Sequence, residues 1–121
     1  MRKRVLVTGA TGLIGHHLVQ KLIQSNRFEV YAIGRRRLDL PQVNTIVCDF
    51  SEKIDVEKLP PEMDIVVHLA QSENFRQFPE SAPEVFKVNT LSTVELIDYA
   101  RRVGVSHFIY ASSAGIYGVG D

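Results

Sequence analysis

The chain has no tryptophan, a single cysteine and no long apolar run, and its positive and negative charges cancel. The single cysteine, Cys48, cannot form an internal disulfide, so a reducing compartment is expected and a cytoplasmic location is predicted. The basic segment 2–4 precedes an apolar stretch too short for a signal peptide and far short of the roughly 18 residues of a membrane helix. The 14 basic residues balance 14 acidic ones, which argues against nucleic acid or a membrane surface as a partner.

The length of 121 residues suits one domain with a buried core. Short β-rich runs alternate with helical patterns, which indicates right-handed βαβ units and a parallel sheet. We therefore predict an α/β fold, a doubly wound (Rossmann) sheet with strand order 3-2-1-4-5. The predicted strands cover residues 5–8, 29–33, 45–48, 64–69 and 107–111, and the main predicted helices cover 13–25 and 84–103.

The two predicted helices differ in their apolar pattern. In the first, Ile14, Leu18 and Leu22 recur at i, i+4 and i+8, which predicts one buried face. In the second, the apolar positions step by three residues and wrap around the axis, which predicts burial on more than one side, and Gly104 is expected to end the helix. Those stepping positions are Val88, Leu91, Val94, Ile97 and Ala100.

A glycine-rich turn lies between the first strand and the first helix, with the sequence TGATGLIG at residues 8–15. Its spacing is G-x-x-G-x-x-G, whereas most dehydrogenases have G-x-G-x-x-G. Such glycines allow a tight turn and close approach to a pyrophosphate, and the helix start offers free N–H groups to the phosphates. A glycine-rich turn without a ligand is the alternative interpretation. The predicted cofactor-binding residues here are Gly9, Thr11, Gly12, Leu13, Ile14 and Gly15.

The end of the second strand predicts which dinucleotide is bound. NAD-binding domains usually place an acidic residue there for the ribose 2′-hydroxyl, and this chain has Gly34 followed by Arg35 and Arg36. Guanidinium groups suit a 2′-phosphate, so NADP is the predicted cofactor, with NAD as the alternative. A solvated run of charges is the structural alternative.

Other polar residues follow the later strands. Asp49 is placed to accept a hydrogen bond from an adenine amino group, or else is a simple turn residue. Hydroxyl groups in the segment 110–118 either meet a substrate or cap the backbone. The histidines lack the spacing of a metal site, and His68 and His107 are expected to be packed strand residues.

Together these segments resemble the extended branch of the short-chain dehydrogenase/reductases, the family of NAD(P)-dependent nucleotide-sugar epimerases and dehydratases. The matching segments are 8–15, 48–50, 67–70, 88–90 and 108–118. The resemblance implies that Leu13 and Ile14 contact the pyrophosphate through their backbone and that Ser113 is the catalytic serine. It also implies cofactor contacts by Asp49 and Phe50 at the adenine, by Leu69, Ala70 and Gln71 at the nicotinamide ribose, and by Asn89, Ala111 and Ser112 nearby.

The chain departs from the family at its end. The family's catalytic tyrosine lies in Tyr-x-x-x-Lys some two dozen residues after the serine, and Tyr117 does not match it because Asp121 stands where the lysine is needed. Residues 1–121 are therefore expected to be the NAD(P)-binding Rossmann domain of a longer enzyme, with the substrate domain absent and no activity of their own.

Three functions agree with these observations. The first is a redox enzyme that moves hydride between NADP and a small-molecule substrate, a nucleotide sugar or a similar alcohol or carbonyl compound. Epimerase, dehydratase and reductase reactions all remain open for it. The second is a non-catalytic NADP-binding regulator, and the third is a small nucleotide-binding module. The fifth strand would leave an apolar edge, which invites association into a homo-oligomer.

Overall fold

The computed structural model describes residues 2–72 and 74–112. In this part of the chain a single sheet of five parallel strands has the order β3-β2-β1-β4-β5. This order confirms the predicted doubly wound fold, and the strands begin and end within two residues of the predicted positions. The strands are β1 (Lys3–Thr8), β2 (Phe28–Gly34), β3 (Val43–Val47), β4 (Ile65–His68) and β5 (His107–Tyr110).

The central strand β1 has helices on both faces, and its side chains enter two separate cores. Leu6 belongs to the larger core together with Val66 of β4 and Leu96. Val5 and Val7 point to the opposite face. Burial on both faces explains why the central strands are apolar at nearly every position.

The helices surround this sheet. The first helix, α1, covers Leu13–Ser25, as predicted. The second predicted helix is continuous but not uniform, because α2 (Ala82–Phe86) passes through a π-helical turn (Lys87–Leu91) into α3 (Ser92–Val103). It also begins earlier than the predicted residue 84. Short 3₁₀ turns lie at Val56–Lys58 and Phe75–Gln77, and the described residues contain no helix that could span a membrane.

The predicted buried face of α1 is wrong in its first turn. Ile14 is 68% exposed, whereas Val19 and Gly15 are buried. Successive helical residues are rotated by about 100°, so a stripe centred on Gly15 and Val19 turns Ile14 outward. Leu18 and Leu22 are half-buried and pack against the core under β1.

The prediction of burial on more than one side of α3 is also wrong in this structure. The buried residues Ser92, Leu96, Tyr99 and Ala100 follow i, i+4, i+7 and i+8, which is a single stripe. The three central members of the predicted set lie outside that stripe and are exposed: Leu91, Val94 and Ile97. Gly104 ends the helix in the left-handed conformation, as predicted, with φ of 76°.

Candidate dinucleotide site

The glycine-rich turn is held by contacts that only glycines permit. Gly9 has φ of +71°, and a Cβ atom there would lie 2.9 Å from the backbone nitrogen of Ala70. A Cβ atom on Gly15 would lie 2.0 Å from the carbonyl oxygen of Gly9, so α1 packs directly on the turn. These two glycines therefore fix the turn against β4 and α1.

The start of α1 offers an uncapped helix end. Gly12 is the N-cap residue, no side chain bonds to the cap, and the first turn contains no acidic residue. The backbone N–H of Gly12 donates to the carbonyl of Gly9 at 3.0 Å, which closes the turn. The following N–H groups and the positive end of the helix dipole suit a phosphate group. This is the chemistry that a dinucleotide pyrophosphate requires.

A cleft of about 470 Å³ opens at the carboxyl ends of the strands, beside this helix start. Successive strands are added on one side of β1 up to β3 and on its other side from β4 onward, so the switch point lies between β1 and β4. Doubly wound sheets bind their ligands at this switch point. The cleft brings together many of the predicted cofactor-binding residues. They are Gly9, Thr11, Gly12, Arg35, Asp49, Phe50, Leu69, Ala70 and Gln71.

A second, smaller cavity of about 180 Å³ adjoins the cleft at the end of β2. Gly34, Arg35 and Arg36 line it, together with Thr11 of the glycine turn. A Cβ atom added to Gly34 would meet nothing within 4 Å, so open space lies beside the strand end. The cavity therefore combines room with two arginine residues in its lining, which suits a phosphate substituent.

Asp49 lies in the cleft and also makes a local turn. Its Oδ1 atom accepts hydrogen bonds from the Ser51 backbone N–H at 2.9 Å and from the Ser51 hydroxyl at 2.8 Å. These bonds from Ser51, with a smaller contribution from the nearby charge of Arg35, lower the pKa of the Asp49 carboxyl group. The turn interpretation is thus correct for one oxygen, and a contact to adenine stays a prediction.

The segment that follows β4, Leu69 to Gln71, forms a wall of the cleft and is hydrogen-bonded to the end of β1. The backbone N–H groups of Leu69 and Ala70 donate to the Thr8 hydroxyl oxygen at 2.9 and 3.0 Å. The same hydroxyl lies 2.6 Å from Nδ1 of His68, and Nε2 of His68 lies 2.9 Å from the Thr93 hydroxyl. His68 is buried, as expected, and this burial lowers its pKa to about 4.

Sequence reasoning missed a polar group farther along the cleft. Ser72, Asn74 and Glu84 line it, and the Ser72 hydroxyl and the Asn74 amide both donate to Oε2 of Glu84. The Ser72 backbone N–H donates to Oδ1 of Asn89 at 2.6 Å. For Ser72 and Asn74 the available signal was their position soon after β4, because segments that follow parallel strands lie at the ligand-binding edge of the sheet.

The remaining predicted site residues lie beside the cleft. Leu13 and Ile14 form the exposed first turn of α1, Gly15 packs beneath the turn, and Asn89 holds Ser72. Ala111 and Ser112 directly follow β5, and the Ala111 N–H donates to the His68 carbonyl at 3.2 Å. The predicted catalytic Ser113 lies outside the described residues. His107 is exposed, contrary to expectation, and bonds to Ser106.

A doubly wound parallel sheet whose glycine turn opens on a cleft at the switch point defines a dinucleotide-binding domain of Rossmann type. Residues 5–121 match the model of the NAD dependent epimerase/dehydratase family. The chain therefore belongs to this family, which confirms the predicted membership of the extended short-chain dehydrogenase/reductases and agrees with the predicted cofactor class, NAD(P).

Individual relatives agree with this assignment. The chain is 29% identical to UDP-glucuronic acid decarboxylase 1 of Danio rerio, covering 97% of the chain and 29% of that protein. It is 26% identical to UDP-glucose 4-epimerase of Streptococcus mutans, covering 97% of the chain and 38% of that protein. The solved structure of MoeE5 in complex with UDP-glucuronic acid and NAD matches with a TM-score of 0.82 and 37% identity, over 98% of the chain and 39% of MoeE5. The chain thus spans less than half the length of each of these proteins.

Proposed function

We propose that this chain forms the NAD(P)-binding part of an enzyme that moves hydride to and from a nucleotide sugar. The observation that carries the proposal is the cleft at the switch point, which opens beside the uncapped start of α1. The names of the relatives support the substrate class, because the decarboxylase and the epimerase both act on UDP-sugars. Since the chain spans less than half of these relatives, the activity is proposed for the whole protein.

In this proposal, different predicted residues bind different parts of the cofactor. The first-turn N–H groups of α1, at Leu13 and Ile14, donate to the pyrophosphate. Asp49 and Phe50 hold the adenine side of the cleft. The wall of Leu69, Ala70 and Gln71 contacts the nicotinamide side, with Ala111 and Ser112 nearby.

When bound, NAD(P) supplies a reversible hydride acceptor. We assign to Ser113 the task of hydrogen-bonding the substrate oxygen that is oxidised. The choice among epimerase, dehydratase and reductase depends on groups that act on the sugar after this step. The relatives with different reactions share this part of the chain, which supports a common first step.

We further propose that NADP(H) is preferred to NAD(H). Arg35 and Arg36 line the small cavity beside Gly34, and its described lining contains no carboxylate. A ribose 2′-phosphate placed there would receive charge-assisted hydrogen bonds that a 2′-hydroxyl group cannot exploit. The cofactor in the MoeE5 structure is NAD, so this preference is a property proposed for the present chain and not for its relatives.

Two further properties are proposed for the whole protein. A cytoplasmic location is supported by the single cysteine, Cys48, which suits a reducing compartment. A homo-oligomer is supported by β5, which pairs with β4 in the described sheet and exposes Ile109 and Tyr110. Sedimentation of the natural full-length protein tests the second property.

Turnover of defined sugars tests the proposed function. The natural full-length protein is incubated with UDP- and dTDP-linked sugars and with NADP or NAD, and products are identified by NMR. We expect conversion of at least one nucleotide sugar, with Ser113→Ala lowering kcat more than Ser112→Ala and leaving cofactor affinity nearly unchanged. Tight NADP binding without conversion of any sugar would favour the non-catalytic regulator, and absence of dinucleotide binding would refute both functions.

A further inference from the structure

His68 is the one buried imidazole among the described residues, and it joins the end of β1 to the helix that follows β4. It lies at the end of β4 and is 1% exposed. Both of its ring nitrogens have hydroxyl partners, Thr8 on one side and Thr93 on the other. The rings of Phe50, Phe108 and Tyr110 surround it. The described side chains around the imidazole therefore form a network of hydroxyl groups and aromatic rings.

The direction of each hydrogen bond in this network follows from counting protons. A hydroxyl group has one proton and two lone pairs. The Thr8 oxygen already accepts from the N–H groups of Leu69 and Ala70, so its proton is directed to Nδ1 of His68. Nδ1 must then be unprotonated. The proton of the neutral ring lies on Nε2 and is donated to the Thr93 oxygen at 2.9 Å.

Counting the protons in the same way assigns the next hydrogen bond, which lies in helix α3. The Thr93 hydroxyl donates its own proton to the carbonyl oxygen of Asn89 at 2.9 Å. Asn89 lies in the π-helical turn, and its side chain accepts the Ser72 N–H. A single ordered chain of donors thus runs from Thr8 through His68 to Asn89. π-Turns within helices are frequent at functional sites, where they redirect side chains.

We propose that His68 is a positioning residue, fixed as the neutral Nε2–H tautomer, that sets the place of the Leu69–Ala70 wall against a bound dinucleotide. By accepting the Thr8 proton, the ring keeps the Thr8 lone pairs directed at the two wall N–H groups. A charged ring would place an Nδ1 proton against the Thr8 hydroxyl and break this arrangement. The proposal rests on the proposed function for its last step, because the wall is assigned to the cofactor.

The proton arrangement is tested without reference to activity. The natural full-length protein is labelled with ¹⁵N-histidine, and long-range ¹H–¹⁵N spectra are recorded with and without NADP, with Thr93→Ser shifting the His68 signals for assignment. We expect a neutral His68 ring with its proton on Nε2 in both states. A proton on Nδ1, or a charged ring at neutral pH, would overturn the proposal.

The positioning role is tested by removing one hydroxyl group at a time from α3. Thr93→Val keeps the shape of the side chain and leaves Nε2–H without its acceptor, and we expect the Kd of NADPH to rise about tenfold. Thr93→Ser, which retains the hydroxyl group, should bind nearly as well as the natural protein. The matched control is Tyr99→Phe, which removes another partly buried hydrogen bond of α3, from the Tyr99 hydroxyl to the Pro60 carbonyl at 2.6 Å.

The outcomes separate this proposal from the proposed function. If Thr93→Val binds NADPH as tightly as the natural protein, or if Tyr99→Phe weakens binding equally, the positioning role is refuted. If Thr93→Val fails to fold, the failure of Thr93→Ser to restore affinity would refute it. A natural protein that binds no dinucleotide would instead refute the proposed function, and the spectra would still decide where the proton lies.

Discussion

Gly34 stands where many dinucleotide-binding domains carry a carboxylate, and the absence of its side chain shapes the cavity beside it. It ends β2, pairs with Val47, and its carbonyl oxygen accepts the Cys48 N–H at 2.8 Å. Open space lies beside its Cα atom. The residue can therefore carry a side chain without disturbing the strand, which makes it a direct test of cofactor choice.

Gly34→Asp should reverse the preference for NADPH over NADH. The new carboxylate would repel a 2′-phosphate and could accept a hydrogen bond from a 2′-hydroxyl, so we expect the ratio of the two Kd values to change by tenfold or more, which is about 1.4 kcal/mol or more. Isothermal titration with both cofactors measures this ratio. Gly34→Ala, which adds only the methyl group, is the control, and an equal change in that variant would contradict the charge argument.

His68 should make stability depend on pH. Its pKa in the folded chain is about 4 because of burial, and the ordinary value is 6.5. The unfolded state therefore binds a proton between these pH values while the folded state does not, so stability is lost as pH falls from about 6.5 toward 4. From pH 7 to pH 5 the group should cost about 2 kcal/mol of unfolding free energy.

Urea unfolding of the natural protein at the two pH values measures this loss. His68→Gln removes the titrating ring, so its unfolding free energy should change less between pH 7 and pH 5. The same pH dependence in the natural protein and in this variant would show that other groups cause it.

At the scale of elements, the glycine turn and α1 pack closely against each other. The turn and the helix start lie so close that Gly15 has no room for a methyl group. Gly12 is less constrained, since a Cβ atom there would lie 3.3 Å from the Gly9 carbonyl oxygen. The two glycines of one motif thus have different physical roles.

Gly15→Ala should push α1 away from the turn. We expect a loss of about 1–3 kcal/mol in unfolding free energy, as for other overpacked sites, and no measurable NADPH binding. Gly12→Ala should lose less stability, under about 1 kcal/mol. Thermal unfolding and cofactor titration of both variants check this difference, and equal destabilisation would contradict the packing described for Gly15.

Some elements of the fold could be predicted from the sequence alone and others could not. Strand order, α1 and the cleft were predictable because apolar runs, the glycine spacing and the rule of the switch point are local or topological signals. The outward face of α3 was not, because a step of three residues does not say which stripe meets the sheet. The Thr8–His68–Thr93 network was also missed, since its members are 60 and 25 positions apart and meet only after folding.

At the scale of the whole molecule, this part of the chain exposes several large apolar side chains, including some on β5 and on α3. Ile109 of β5 is 52% exposed, and Val94 of α3 is 58% exposed. The relatives contain additional chain beyond the region matched here, because the chain covers 29% and 38% of the two enzymes. Exposed apolar surfaces of this kind are generally sites where other polypeptide packs.

A polypeptide of residues 1–121 alone should therefore self-associate and should convert no nucleotide sugar. Unpaired backbone groups on an apolar edge strand favour pairing with another chain. The resemblance implies a catalytic tyrosine that acts as a general base and that Tyr117 does not match, and loss of such a base typically lowers rates by about 10²–10⁴-fold. Sedimentation velocity and a sugar-conversion assay test the two halves, and a compact monomer that unfolds cooperatively would contradict the first half.

We propose above all that the cleft and its arginine-lined cavity hold NADP(H). Equilibrium titration of the natural full-length protein with NADPH and NADH, at low and at high salt, tests it most directly. We expect tighter binding of NADPH, with an advantage that shrinks at high salt because exposed charges are screened. Binding of NADH that equals or exceeds that of NADPH at both salt concentrations would contradict it.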